Sequence, residues 1–333
     1  MHSSQQMPPA PAEQPQKISP RERIVNDFSI QVATVNGSGS QTANLVLMRS
    51  IFQMGVPVSG KNLFPSNIQG LPTWFTIRAS RDGYIARKKE IDFLVAMNPE
   101  SAHEDVMSLP PGAAVLYDEP LKLSSLRSDL HFYSAPFDKL VAPVCPEAKL
   151  RKLVRNMIYV GILAELLGID PEQIRKALYK QFGERKKKAA DLNWGAVQAG
   201  LDYARANLAK QDPYFIEPLD RTAGKLVIEG NTAAALGCMF AGVTVCTWYP
   251  ITPSSSLAEA LITLYGTLPA RPRNRQGDLR DRPGRGRAGQ HRHGHWRRLG
   301  GRSRDDLHVG AGHLADVGVR RVGLLRGDPC RDH

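Results

Sequence analysis

The first 270 residues carry almost no net charge, residues 271–333 contain no lysine at all, and four cysteines are scattered through 333 residues. Each shortage excludes something. Cys145, Cys238, Cys246 and Cys330 form no C-x-x-C pair, so a zinc ion or an iron–sulfur cluster held by this chain alone is not expected, and no metal ligand is assigned. They read as small buried thiols of a reducing compartment. No run of 18 apolar residues is present, which argues against a membrane-spanning helix. Met1–Gln16 is rich in Pro, Gln and Ser and lacks an apolar core, so it does not read as a secretory signal. A cytoplasmic protein without a membrane partner is expected. The formal charge of +12 would ordinarily point to nucleic acid. It is local, however: residues 271–333 hold 16 Arg and 7 Asp, whereas the first 270 hold 28 basic and 25 acidic side chains. A near-neutral body with a basic tail is not a nucleic-acid-binding surface, and no nucleic-acid partner is expected.

What is present reads as two α/β domains. Residues 1–22 are polar, Pro-rich and aperiodic, the composition of a disordered leader. Phe28 to Val35 has the texture of a strand, Asn36–Ser40 that of a glycine turn, and Thr42–Gly55 that of a helix with Leu45, Met48, Ile51 and Phe52 on one face. Val56-Pro57-Val58 begins the next strand, which completes a βαβ unit of a parallel sheet. Further strands are expected at 74–78, 91–97 and 113–117, with a short helix at 104–107. From Ala148 the texture becomes helical: Leu150, Val154, Met157, Ile158, Ile162 and Leu166 form an apolar stripe that Gly168 ends. Asp170-Pro171 opens a helix running to Phe182, and another covers about 193–208. Residues 211–221 read as a linker. A new strand is expected at Lys225-Leu226-Val227-Ile228, then a helix of small residues from Thr232 to Gly242. The fold class is therefore α/β: a Rossmann-like parallel-sheet domain over 23–215 with a helical insert at 148–209, then the start of a second α/β domain over 224–268.

Three segments could carry chemistry. The turn Asn36-Gly37-Ser38-Gly39-Ser40 lies where a helix N-terminus and free backbone amides can receive a phosphate, although tight packing alone would also explain its glycines. It is not a dinucleotide fingerprint, because Ser40 and Thr42 stand where glycines belong. Residues 60–70 (GKNLFPSNIQG) form a long polar loop of the kind that collects binding residues or simply connects strands, and Lys61 is its cation. In Trp248-Tyr249-Pro250-Ile251-Thr252-Pro253-Ser254-Ser255-Ser256 two prolines flank a hydroxyl residue directly after a strand. Such a rigid turn suits carboxylate recognition; an N-cap opening a helix at 256–264 suits it equally.

YPITPSS at 249–255, preceded by IEGNTAAALGCMFAG at 228–242, resembles the pyrimidine-binding domain of 2-oxoacid:ferredoxin oxidoreductase alpha subunits. NGSGSQTAN at 36–44 and GKNLFPSNIQGLPTW at 60–74 resemble the gamma-type domain fused ahead of it in the 2-oxoglutarate branch. The resemblance implies a thiamine diphosphate enzyme that decarboxylates a 2-oxoacid, passes electrons to ferredoxin and hands the acyl group to coenzyme A. A partner beta subunit is implied to supply most of the thiamine diphosphate and magnesium site and a [4Fe–4S] cluster. By the same resemblance Tyr249, Thr252 and Ser254 lie near the substrate carboxylate, and Asn36, Gly37, Ser38, Gly39, Ser40 and Lys61 face coenzyme A.

Residues 269–333 do not fit that picture. From Arg271 onward there is no Lys, Glu, Ile, Met, Phe, Tyr or Thr, so most residues that build a strand-rich core are missing. Read one base over, the tail regains family-like sequence. Gly312–Arg321, GHLADVGVRR, can be written GGG CAT CTC GCT GAT GTC GGA GTT CGT CGG, and the shifted reading is GISLMSEFV. By the same procedure Pro283–Gly294 returns QAEDELASIGMV. A frameshift near 269–271 is therefore expected, leaving an unstructured tail and only the truncated start of the pyrimidine-binding domain. The glutamate that activates thiamine would fall at the codon read as Arg285, so the catalytic residue is lost and the chain is expected to be inactive as written. The alternative is a Rossmann-like binding module whose basic tail docks on nucleic acid.

Overall fold

In this computed structural model the structure describes residues 23–64, 70–248, 254–267, 307–309 and 322–326. The leader 1–22, residues 65–69 of the 60–70 loop, Tyr249–Pro253 and most of the tail lie outside the described residues. The chain divides into two compact units, Met1–Lys225 and Leu226–His333.

The first unit begins with β1 (Ile24–Val25), β2 (Asp27–Val35) and α1 (Ser40–Gln53), followed by β3 (Val58–Leu63), β4 (Pro72–Ser80) and β5 (Phe93–Ala96). It continues through α2 (Ala102–Met107), β6 (Ala114–Asp118), β7 (His131–Ala135) and α3 (Phe137–Val144). It ends with α4 (Ala148–Val154), α5 (Asn156–Leu167), α6 (Pro171–Phe182), α7 (Lys187–Asn207) and β8 (Tyr214–Phe215). Six strands form one sheet in the order β3-β4-β2-β5-β6-β7. β2, β5, β6 and β7 run parallel, but β4 is antiparallel to both β2 and β3. The βαβ unit expected at the start is thus real and split: β3 runs in the direction of β2, with β4 inserted between them. A fully parallel sheet was the expectation; β4 corrects it, because the chain turns straight back from β3 and such a hairpin can only pair antiparallel.

The central strands are apolar on both faces because helices cover both. On one face Ala33, Leu94, Ala96, Val115 and Tyr117 pack with Ala102 and Val106 of α2. The alternate residues Phe28, Ile30, Val32, Phe93, Val95 and Leu116 are completely buried on the other face, where Phe93 stacks on Tyr133 at 6.3 Å and α1 lies against β3 and β4. α5 is buried almost all round, as a helix enclosed by others must be. Its Gly161 makes that possible: a Cβ there would stand 2.0 Å from the carbonyl oxygen of Val197, and one at Gly200 would stand 2.2 Å from that of Ile158. α5 and α7 therefore cross backbone to backbone.

Gly168 closes α5 in the left-handed conformation, and the Asp170 carboxylate accepts from the Glu172 N–H at the start of α6. Both ends match the sequence reading. Residues 211–221 do not. Instead of a linker they form a clasp, in which β8 pairs parallel with β1 and the Leu219 N–H donates to the Met54 carbonyl at 2.8 Å. The fully buried Asp212 side chain takes the Tyr133 hydroxyl at 2.6 Å and Lys210 at 2.8 Å. Arg23 and Lys210 lie over the Phe215 ring, 4.0 and 4.4 Å from its centroid.

The second unit contains α8 (Gly230–Phe240), β9 (Thr244–Trp248), α9 (Ser254–Thr267), β10 (Leu307–Val309) and β11 (Val322–Arg326). Its core is small: Ala235, Val243, Cys246, Leu257 and Leu261. No strand forms at 225–229, contrary to expectation, because no neighbour pairs with it. Two short pieces of the tail correct the expectation of a tail without strands. β10 and β11 pair parallel with β9, one on each side. They are Val- and Leu-bearing runs (LHV and VGLLR), and a lone strand with two open edges recruits such runs through its backbone groups alone. No described helix is long and apolar enough to cross a membrane.

Candidate active-site cavity

The glycine turn after β2 is built by its backbone. Gly37 and Gly39 have φ of 84° and 81°, in the left-handed region that side chains oppose, and a Cβ on Gly39 would meet Leu153 Cδ2 at 2.5 Å. The turn is anchored from several directions. The Asn36 N–H donates to the Leu71 carbonyl at 2.8 Å. Asn156 Nδ2 donates to the Ser38 carbonyl at 2.8 Å, and Thr34 Oγ1 and Ser40 Oγ share a buried bond of 2.8 Å. One turn into α1, the Tyr159 hydroxyl donates to Asn44 Oδ1 at 2.8 Å. Complete burial pushes the Tyr159 phenol well above its ordinary range, so it remains a donor.

These contacts shape a cavity of about 340 Å³ at the carboxyl end of β2, on the α1 face of the sheet. Asn36, Gly37, Gly39 and Ser40 line it, so four of the five expected turn residues converge there. Ser38 does not line it. Its carbonyl is turned toward Asn156. Lys61 also stays out: strand alternation puts it on the α2 face, opposite Thr76, while its neighbour Asn62, opposite Phe75, reaches the cavity. The reading of 60–70 as a loop is thus corrected over Gly60–Leu63, which belong to β3, and the residue of that stretch at the cavity is Asn62 rather than Lys61. It also missed Gln41 and Asn44 on α1, with Thr73 and Phe75 on β4. The usable signal was Asn44, an amide 2% exposed within an apolar helical stripe.

The lining is polar and uncharged: carboxamides from Asn36, Gln41, Asn44 and Asn62, hydroxyls from Thr34, Ser40 and Thr73, and a hydrophobic edge from Phe75 and Leu153. α1 begins at this wall without a side-chain cap, so its first backbone N–H groups face outward there. Such a site can bind amides, hydroxyls and one anionic group at the helix end; among the described residues that line it, none acts as an acid or base near neutrality.

The strand-end turn of the second unit is described only at its end. Tyr249 and Thr252 lie outside the described residues, as does Arg285. Ser254 is the first residue of α9 and is buried, and α8 is tied to α9 by Asn231 Nδ2 donating to Ser256 Oγ at 2.6 Å. α9 begins two residues before the expected start. Cys145, Cys238 and Cys246 are free thiols. Among the described residues no three His, Cys, Asp or Glu side chains are grouped to hold a metal ion.

Comparison with known proteins bears on this arrangement. The family model for pyruvate ferredoxin/flavodoxin oxidoreductase matches residues 29–203. The chain is similar to the alpha subunit of 2-oxoacid:ferredoxin oxidoreductase 2 from Aeropyrum pernix, with 24% identity over 272 residues, covering 70% of this chain and 42% of that one. It is also similar to the corresponding alpha subunit from Saccharolobus solfataricus, at 22% identity, covering 68% of this chain and 41% of that one. Among solved structures, 2-oxoglutarate:ferredoxin oxidoreductase from Magnetococcus marinus, which has 2-oxoglutarate, coenzyme A and succinyl-CoA bound, matches with a TM-score of 0.64 and 25% identity, covering 72% of this chain and 42% of that one. The chain thus spans less than half the length of the curated alpha subunits it matches.

Proposed function

The chain belongs to the pyruvate ferredoxin/flavodoxin oxidoreductase family, and from that premise we propose that it is the alpha subunit of a thiamine diphosphate-dependent 2-oxoglutarate:ferredoxin oxidoreductase. One observation carries this reading: the likeness to alpha subunits covers 70% of this chain, more than the 29–203 stretch that the family model matches. A free-standing gamma-type subunit would not need the second unit. The preference for 2-oxoglutarate rests on the Magnetococcus marinus enzyme. The partners are a beta subunit, which carries most of the thiamine diphosphate, magnesium and [4Fe–4S] sites, and ferredoxin as electron acceptor.

Thiamine diphosphate supplies, when bound, the nucleophilic carbon and electron sink that decarboxylation requires. Among the described residues none is placed to act on that cofactor, so the chain's own chemistry here is positioning. The turn 36–40 and Asn62 receive part of coenzyme A, with the carboxamides of the cavity wall hydrogen-bonding the amides of its thiol-bearing arm. None of the described lining residues is a cation, which leaves the coenzyme's phosphates outside, since burying several negative charges without partners is strongly opposed. At the second unit the YPITPSS turn holds the substrate carboxylate, and the Ser254 end of α9 offers it backbone N–H groups.

Residues 271–333 are read out of frame, and the thiamine-activating glutamate is lost at Arg285. The chain as written should therefore show no turnover. Restoring the frame near codons 269–271 and combining the product with its beta subunit should give 2-oxoglutarate- and coenzyme A-dependent reduction of ferredoxin. Turnover on pyruvate alone would refute the substrate assignment, and no turnover on any 2-oxoacid would refute the whole reading.

A further inference from the structure

The turn joining α6 to α7 concentrates charge that the rest of the first 270 residues lacks. Between residues 172 and 191 there are seven cations, Arg175, Lys176, Lys180, Arg185, Lys186, Lys187 and Lys188, against the three acids Glu172, Glu184 and Asp191. All seven cations are exposed. Arg175, Lys176 and Lys180 lie on α6, the last two one helical turn apart, and the other four follow Gly183, whose φ of 68° turns the chain sharply.

Fold stability does not account for this cluster. Lys187 and Lys188 open α7, Arg185 and Lys186 directly precede it, and the first turn of α7 has no acidic residue. Cations at a helix N-terminus oppose the helix dipole, and like charges crowded together repel. Among the described residues, none of the five lysines has an ion-pair partner within 4.0 Å, and the one cation of the cluster that does, Arg175, pairs with Glu172 at 3.7 Å. Four cations at an unfavourable helix end, without an ion-pair partner among the described residues, mark a surface whose pairing charges lie on another molecule.

We propose that this turn is a docking face for an acidic protein of the small electron-carrier class. The choice of electron carrier rests on the oxidoreductase reading. Nucleic acid is the poorer fit. The Tyr179 ring is engaged, with Asp191 at 2.5 Å and under Arg175 at 5.9 Å, so it is not presented for base stacking. The interspersed Glu172, Glu184 and Asp191 would repel a phosphate backbone, whereas mixed charges fix the register of one protein on another. Electron-transfer contacts are small and salt-sensitive, which suits one exposed helical turn.

The tail complicates any simple binding assay, but its composition also offers a solution. Residues 271–333 contain 16 Arg and no Lys, so a carbodiimide that joins carboxylates to lysines is blind to them. The full chain should be cross-linked in this way to an acidic [4Fe–4S] ferredoxin, and the linked lysines mapped by mass spectrometry. Links should concentrate on Lys176, Lys180, Lys186, Lys187 and Lys188 and vanish as salt rises. In a chain with K176Q, K180Q, K186Q, K187Q and K188Q, links at the remaining lysines should not rise, and ferredoxin affinity at low ionic strength should fall about tenfold. Links spread over Lys122, Lys139 and Lys225, or an unchanged affinity, would overturn the proposal. So would loss of oligonucleotide binding by that variant with ferredoxin affinity intact. The oxidoreductase reading is separable, because a frame-restored enzyme reducing a small viologen dye needs no docking face. Dye turnover without hairpin cross-links would remove this inference alone.

Discussion

Residues 28–53 and 226–267 start from one plan, an apolar segment followed by a helix, and end differently. In the first, β2 is paired on both sides and buried on both faces, and eight residues of α1 are buried. In the second, Leu226 is 71% exposed and Phe240 84% exposed, and the segment expected to be a strand pairs with none of the described residues. Local pattern is the same; what differs is the supply of neighbouring strands. A single α/β unit has two apolar faces and cannot bury both without further elements. The first unit obtains them from residues 70–207, whereas among the described residues of the second the tail supplies two short strands.

The largest consequence concerns stability. Hydrogen exchange on the full chain should show amides of β5, β6 and α5 protected at the level of global unfolding, and those of α8 and α9 exchanging faster by orders of magnitude. A second unit as protected as the first would break the comparison. Next in size is Gly161→Val. Its side chain would enter the space of the Val197 carbonyl, and it should destabilise the first unit by about 3 kcal/mol or more, by forced separation of α5 and α7. Denaturant melts followed by circular dichroism would show it, while exchange in 230–267 should not change.

A smaller loss is expected from Tyr133→Phe, which leaves the buried Asp212 carboxylate without its 2.6 Å donor and should cost roughly 1–3 kcal/mol. Asp105 should behave in the opposite sense. It accepts from Trp74 Nε1 at 2.9 Å, its Oδ2 is buried without a partner, and burial raises its pKa above the ordinary 3.8. A group raised on folding contributes fully below pH 3.8, and that contribution is lost as pH rises through the folded value. Asp105→Asn keeps the Trp74 bond and removes the ionisation. Stability at pH 7 should then rise by about 1 kcal/mol, with no gain at pH 3. Equal effects at both pH values would rule out burial of the charge as the cause.

Legibility in the sequence follows the same division. Elements fixed by local signals could be read directly: the β2 strand, the Gly168 stop and the Asp170-Pro171 start. Elements fixed by distant partners could not. The antiparallel β4 looks like any other strand, β7 is too polar at its start to stand out, and 211–221 has linker composition because its contacts lie on Met54, Gly55 and Tyr133. The site divides in the same way. Glycines at 37 and 39 announce a turn, since φ near 80° leaves little choice of residue. Asn62 and Lys61 differ only in which side of the sheet they face, and that depends on the register of β3 against β4.

The smallest effect gives the sharpest test of what the second unit lacks. Phe240 ends α8 with 84% of its surface exposed, although a phenylalanine at the end of a small-residue helix is ordinarily there to be covered. In the chain as written Phe240→Ser should change stability by less than about 0.5 kcal/mol, as for any exposed site. In a chain carrying the shifted frame proposed above, the same substitution should cost about 2 kcal/mol or more if the added segments cover the ring. A null effect in both chains would assign Phe240 to the surface, to a partner subunit or to solvent. A loss in the given chain would mean that tail segments such as Val322–Arg326 already provide part of the cover.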